Sequence, residues 1–134
     1  MIVRLRSRLS WVFCIAGIIA MGILSRLVHT GFAVFDKYLG DALYAAMVYG
    51  ILRLFLSAAA SAVWAIAVMT AIELFQLTMI PAHLLASPHL ITRICARLMG
   101  VEFSFLDLLA YGAGIGCIYL ADSSQRKDGD RGGP

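Results

Sequence analysis

Residues 58–80 read AAASAVWAIAVMTAIELFQLTMI, and this run decides which solvent the chain folds in. A helix needs about 20 apolar residues to cross the ~30 Å of bilayer hydrocarbon. The run is long enough, yet it carries Glu73 and Gln76 inside its outer third. Three further runs approach the same length: 9–28, 38–56 and 104–121. The second and third are separated by little more than Ser57, which makes them a tight helical hairpin. Whole-chain composition agrees. Of 134 residues, 61% are hydrophobic and 14% charged, and the mean hydropathy is +0.87. Soluble domains carry about a quarter charged residues, and a small soluble fold leaves too much surface wet to hide such an apolar excess. A soluble enzyme, a disordered chain and a secreted disulfide scaffold are thereby excluded.

The expected fold is all-α, an integral membrane four-helix bundle over residues 9–121. A basic cytoplasmic segment, 1–8, precedes it. A polar, Gly-rich tail, DSSQRKDGDRGGP (122–134), follows and is expected to be disordered and cytoplasmic. Arg4, Arg6 and Arg8 ahead of an apolar run imitate a signal peptide, but the run exceeds the ~7–15 residues of a typical apolar signal core. Ala20-Met21-Gly22 is also a poor cleavage site, so an uncleaved first span is expected.

The formal charge is +3, and its basic residues sit mainly at the ends of apolar runs, where they orient a membrane chain. With the N-terminus inside, Arg4, Arg6, Arg8, Arg53, Arg126, Lys127 and Arg131 are cytoplasmic; Arg26, Lys37, Arg93 and Arg97 lie outside. Both termini are therefore expected in the cytoplasm. Arg53, at an inner helix end, is expected to snorkel to the headgroups. No basic face interleaved with aromatics is present, so nucleic acid is not an expected partner. Cys14, Cys95 and Cys117 are scattered and odd in number, which suggests neither a disulfide framework nor a zinc site. His83 and His89 have no Cys or carboxylate between them, and no metal or other cofactor is expected.

The connection 81–103 has structure of its own. Ser87-Pro88 is a good cap and first-turn pair, and Gly100 a good stop. Between them Leu90, Ile91, Ile94 and Leu98 recur at helical spacing, with Arg93 and Arg97 on another face. A short amphipathic helix, lying on the outer membrane surface or capping the bundle, is predicted.

Ionisable groups inside a span cost about 2.5–3.5 kcal/mol on insertion scales and mark functional sites by default. The alternating directions of the helices bring such groups together at one end: Arg26, Asp41, Glu73, Gln76 and Asp107, with Arg93 and Arg97 on the connecting helix above them. Thr70-Glu73-Gln76, Asp107-Tyr111-Gly114 and Asp41-Tyr44-Ala45-Val48 each form a helix stripe that can face one interior. Arg26, Asp41, Glu73, Gln76, Arg93, Arg97, Asp107 and Tyr111 are thus the candidate ligand-binding set. Simpler readings stand beside it: Arg26–Asp41 as a helix-end ion pair in wet headgroups, and Asp107 as an acid favoured by the helix macrodipole. Gly112 and Gly116, four apart in an apolar helix, predict close helix contact rather than a dinucleotide loop.

At these residues the chain resembles a known family. GILSR (22–26), YLGDALYAAMVYGILR (38–53), IELFQL (72–77) and FSFLDLLAYGAGIG (103–116) resemble the small bacterial membrane proteins of domain-of-unknown-function family 2809. A more distant similarity is to the VanZ-like family, whose pattern Glu73, Gln76, Arg97, Asp107, Gly112 and Gly116 follow. Tyr111 stands where those proteins usually have Asn, and Asp36-Lys37 is not followed by their histidine. The resemblance implies a multi-pass protein of the bacterial inner membrane.

The expected function is to hold a polar lipid or envelope-precursor headgroup in an outward-facing polar pocket. The expected partners are membrane lipid, a lipid-linked envelope precursor or glycopeptide-like ligand, and a second copy of the chain. The alternative is a small proton-coupled transporter. An intramembrane enzyme using Glu73 and Asp107 as acid and base is a third class, but no nucleophile beside a base is visible, and the chain is not expected to be an enzyme.

Overall fold

The computed structural model describes residues 2–28 and 31–131, and among them every regular element is helical. Six helices follow in order: α1 (Ile2–Leu27), α2 (Ala33–Arg53), α3 (Ala58–Gln76), α4 (Ile80–Leu85), α5 (Leu90–Met99) and α6 (Phe105–Arg131). Three stretches are long and apolar enough to cross a membrane: Ser7–Ser25, Ala58–Gln76 and Phe105–Lys127. α2 has comparable length, but Asp36, Lys37, Asp41 and Arg53 keep it from reading as a span by composition alone.

Among the described residues, many large apolar side chains lie on the surface while several polar ones are buried. Phe13 and Phe55 are three-quarters exposed, and Trp64, Leu109 and Leu120 are also exposed. Ser61, Glu73, Gln76, Asp107 and Asp122 are buried. A water-soluble fold does the reverse, so the surface suits lipid. α2 packs against α1, α3 and α6, and α6 also meets α3. Ala45, Tyr49, Ala65, Met69, Tyr111 and Ile115 form the core between α2, α3 and α6. α1 leans on α2 alone among the principal helix contacts. It does so over Gly50, where a Cβ would come within 3.0 Å of Ile15 Cγ1.

The approach of α6 to α2 is set by one residue. A Cβ on Gly114 would overlap the Ala42 carbonyl oxygen and lie 2.8 Å from its carbon. Gly112 and Gly116, the pair expected to make this contact, have nothing within 4 Å of such a Cβ. The expectation placed the small residues on the wrong face. Spacing of four identifies a permissive stripe, whereas the packed face is the one carrying Asp107, Tyr111 and Gly114.

Four boundaries also differ from expectation. α1 begins at Ile2, so the basic residues expected to precede the span belong to its helix. α3 stops at Gln76 rather than Ile80, because Pro81 has no amide hydrogen and its ring would meet the Leu77 carbonyl of a continued helix. Met79 turns the chain with a left-handed φ of 58°, and the short helix α4 follows with Pro81 in its first turn. α5 starts after His89 without a side-chain cap, while Ser87 Oγ accepts the His89 amide at 3.3 Å. Gly100 ends it at φ 79°.

The fourth correction concerns the tail. α6 continues through Asp122 to Arg131 instead of becoming disordered at Ala121. Asp122 anchors it: its Oδ2 accepts from Tyr49 Oη at 2.7 Å and from Arg53 Nε at 2.7 Å. Arg53 Nη1 also donates to the Leu56 carbonyl at 2.8 Å. The guanidinium carbon lies 5.4 Å from the Trp11 ring, which meets Tyr49 edge-on at 5.7 Å. Arg53 therefore does not snorkel. Its side chain is only 14% exposed and ties α1, α2 and α6 together at the end of the bundle where α3 begins.

Candidate functional site

The opposite end holds the polar groups. Glu73 and Gln76 are three apart on α3 and therefore share a face; both are buried. The Glu73 carboxyl is completely enclosed, and each oxygen has a donor. Tyr111 Oη donates to Oε1 at 2.8 Å, and the Ser104 amide donates to Oε2 at 3.2 Å. Glu73 thus pins the start of α6 against α3. A hydrogen bond to a group of this kind contributes about 1.5–3 kcal/mol when charged and about 1 kcal/mol when neutral. Tyr111→Phe is expected to destabilise the purified protein by about 1–2 kcal/mol, because it leaves one buried oxygen without its donor. Thermal unfolding in detergent would measure this, and an unchanged midpoint would refute it.

Asp107, one turn before Tyr111, is buried and meets Lys37 Nζ at 3.1 Å. Lys37, Asp41 and Tyr44 follow one another at helical spacing on α2, so the same face brings a cation, a carboxyl and a ring to this end. Gly100 allows the Gln76 amide beneath the α5–α6 connection: a Cβ there would lie 2.8 Å from Gln76 Nε2.

These groups border an open cavity of about 1040 Å³. α1 supplies an apolar wall of Ile18, Ile19 and Ile23; α5 supplies Ile94, Arg97 and Leu98; α2 and α6 supply most of the polar surface. Of the eight residues expected to form a site, Asp41, Gln76, Arg97, Asp107 and Tyr111 line this cavity. Glu73 stands behind Tyr111, whose hydroxyl links it to the lining. Arg93 is exposed on α5 and is not among the lining residues. The Arg26 side chain lies outside the described residues.

Sequence reasoning overlooked Asp36, Lys37 and Glu102 as part of this lining. Lys37 was legible in principle, because it lies one turn before Asp41 on the stripe already recognised. Asp36 sits in the first turn of α2 and Glu102 in the α5–α6 connection, where a charge reads as ordinary solvated surface.

No curated protein and no solved structure matches the chain. The family model described as "Protein of unknown function (DUF2809)" matches residues 28–115. That stretch takes in α2 through α5 and the part of α6 that carries Asp107, Tyr111 and Gly114. It therefore includes every polar residue named on the cavity wall, and the chain belongs to the DUF2809 family.

Proposed function

We propose that the chain is a four-span protein of the bacterial inner membrane, with both termini cytoplasmic, that holds a polar lipid or envelope-precursor headgroup in the cavity. The observation that carries this reading is the cavity's divided lining: carboxyls, Lys37 and Arg97 on one side, and the isoleucines of α1 on the other. A headgroup joined to an acyl chain has the same division. α2 serves as the fourth span. Its 21 residues cover about 30 Å. Its charges need not face lipid, because Asp36, Lys37 and Asp41 line the cavity and Arg53 is paired with Asp122. The Lys and Arg distribution supports a cavity on the outer side.

The proton-coupled transporter is the weaker reading. Carriers bind near the bilayer midplane at a repeat interface, whereas this cavity lies at one end. The other end is held by Tyr49, Arg53, Asp122 and the Trp11 ring.

Thiol labelling tests both topology and access. The three native cysteines are exposed, but Cys14 and Cys117 belong to candidate spans and Cys95 to α5. A membrane-impermeant maleimide applied to intact spheroplasts is expected to modify Cys95 and spare the other two. In a chain lacking all three, Leu43→Cys and Val101→Cys should also react, since both positions line the cavity. Labelling from the cytoplasmic face alone would reverse the topology. Reaction at Cys95 with neither cavity position modified would mean a sealed cluster and would remove the binding site.

A further inference from the structure

α5 is amphipathic, yet its apolar side is not packed. Leu90, Ile94 and Leu98 follow one another at intervals of four, Ile91 completes the stripe, and all four are exposed. Among the described side chains of α5 only Ala96 is buried, and it lies on the opposite side of the helix. The principal contact of α5 is with α4. A helix that caps a bundle turns its stripe inward, and α5 does the reverse. Met79 at φ 58° and Gly100 at φ 79° bound the α4–α5 segment, which continues neither α3 nor α6.

Two observations identify what covers the stripe. Exposed apolar residues continue along the chain from the end of α3 through Leu74, Leu77, Met79 and Ile80, and α4 packs against both α3 and α5. The surface that suits lipid on α3 therefore leads into this segment. The second observation is charge. Arg93 and Arg97, one turn apart, flank the stripe and are exposed. α5 contains no acid, and neither guanidinium makes an ion pair or hydrogen bond among the described residues. Two such cations beside an apolar stripe complement a layer of phosphates lying over hydrocarbon.

We infer that α5 docks on the membrane surface, its stripe among the upper acyl carbons and Arg93 and Arg97 against anionic phospholipid headgroups. The inference rests on the membrane-spanning part of the reading above and needs no ligand in the cavity. The ten residues of α5 cover about 15 Å, too short to cross the bilayer but long enough to lie along it.

The test places the full chain in nanodiscs of equal parts phosphatidylcholine and phosphatidylglycerol. Nitroxides are attached singly at Leu90→Cys, Ile91→Cys, Leu98→Cys and His89→Cys in a chain lacking Cys14, Cys95 and Cys117. His89 is exposed and lies off the stripe. Access of oxygen, which concentrates in hydrocarbon, is compared with access of a water-soluble nickel chelate. Oxygen is expected to prevail at the three stripe positions and nickel at His89→Cys. Nickel prevailing at all four would overturn docking, because the stripe would meet water. Oxygen prevailing at all four would overturn a surface position in favour of full immersion. Little access of either reagent to the stripe would overturn lipid in favour of a protein partner.

The charge is read on a chain that keeps Cys95 alone and carries a bimane there. Spin-labelled phosphatidylglycerol and phosphatidylcholine are compared as quenchers in the same discs. Phosphatidylglycerol is expected to be enriched about fivefold beside the probe. Arg93→Gln should lower that enrichment by about half. Arg93 is exposed and does not line the cavity, so this loss reports the surface. Equal quenching by the two lipids would overturn the anionic preference. Enrichment unchanged in Arg93→Gln combined with Arg97→Gln would overturn the role given to the arginines. Labelling at Leu43→Cys and Val101→Cys judges the cavity separately, so failure of docking and failure of the headgroup reading are told apart.

Discussion

Gly114→Val is expected to abolish accumulation of folded protein, and Gly114→Ala to lower its stability by about 3 kcal/mol, the upper end of ordinary overpacking costs. The reason is the identity of the neighbour. A Cβ at this position collides with the Ala42 carbonyl rather than with the end of a flexible side chain. A side chain can rotate away, but a carbonyl within α2 moves only if the helix moves. Separating α2 from α6 then loosens the core at Ala45, Tyr111 and Ile115 and disturbs Asp107 beside Lys37. Gly112→Ala and Gly116→Ala provide the contrast. Neither added methyl meets an atom within 4 Å, and alanine favours the helix by roughly 1 kcal/mol over glycine. Both should melt in detergent at or above the parent's temperature. Equal losses at 112, 114 and 116 would contradict the assigned helix face.

The second large effect belongs to the opposite end of the bundle. Arg53→Met is expected to destabilise the protein by about 3–5 kcal/mol, the cost of breaking a buried pair from one side. Asp122 would keep its Tyr49 bond and lose the guanidinium at 2.7 Å. Asp122→Leu should cost a similar amount, since Arg53 would then be buried beside Leu56 and Trp11 with its carboxylate gone. The double replacement, Arg53→Met with Asp122→Leu, should recover most of the loss, because it leaves no uncompensated charge. Stabilities of the four chains form a double-mutant cycle whose coupling measures the pair. Losses that simply add would show that Arg53 and Asp122 act independently. Truncating α6 after Ala121 should resemble Asp122→Leu, a loss a disordered tail would not produce.

The features most legible in the sequence were those that lipid imposes. The runs at 58–80 and 104–121 reveal spans because hydrocarbon sets both their length and their polarity. The meeting of Asp41, Gln76, Asp107 and Tyr111 followed from the alternating directions of successive helices, and these four border one cavity. What escaped depended on rotation about a helix axis or on partners far apart in the chain. Gly112 and Gly116 have the spacing of a contact motif, but only Gly114 faces Ala42. Asp122 opens a segment rich in Ser, Asp and Gly, whose composition resembles solvated tail. Its helical state depends on Tyr49 and Arg53, 73 and 69 residues away. Glu73 illustrates a third obstacle. Its place inside the span was plain, but its spacing could not reveal that Tyr111 and the Ser104 amide occupy both of its oxygens.

α1 leans chiefly on α2, lies ahead of the matched stretch 28–115, and gives the cavity its apolar wall. In a lineage whose membranes change with temperature or habitat, the fatty chains on offer change before the headgroups do. Ile18, Ile19 and Ile23 can be exchanged for larger or smaller apolar residues without disturbing Gly114, Glu73 or the Arg53–Asp122 pair, because well-separated sites combine nearly additively. On the headgroup reading proposed above, the molecule is thereby divided into a packed part that meets the headgroup and an adjustable part that meets its chains. Descendants could retune the second while inheriting the first intact.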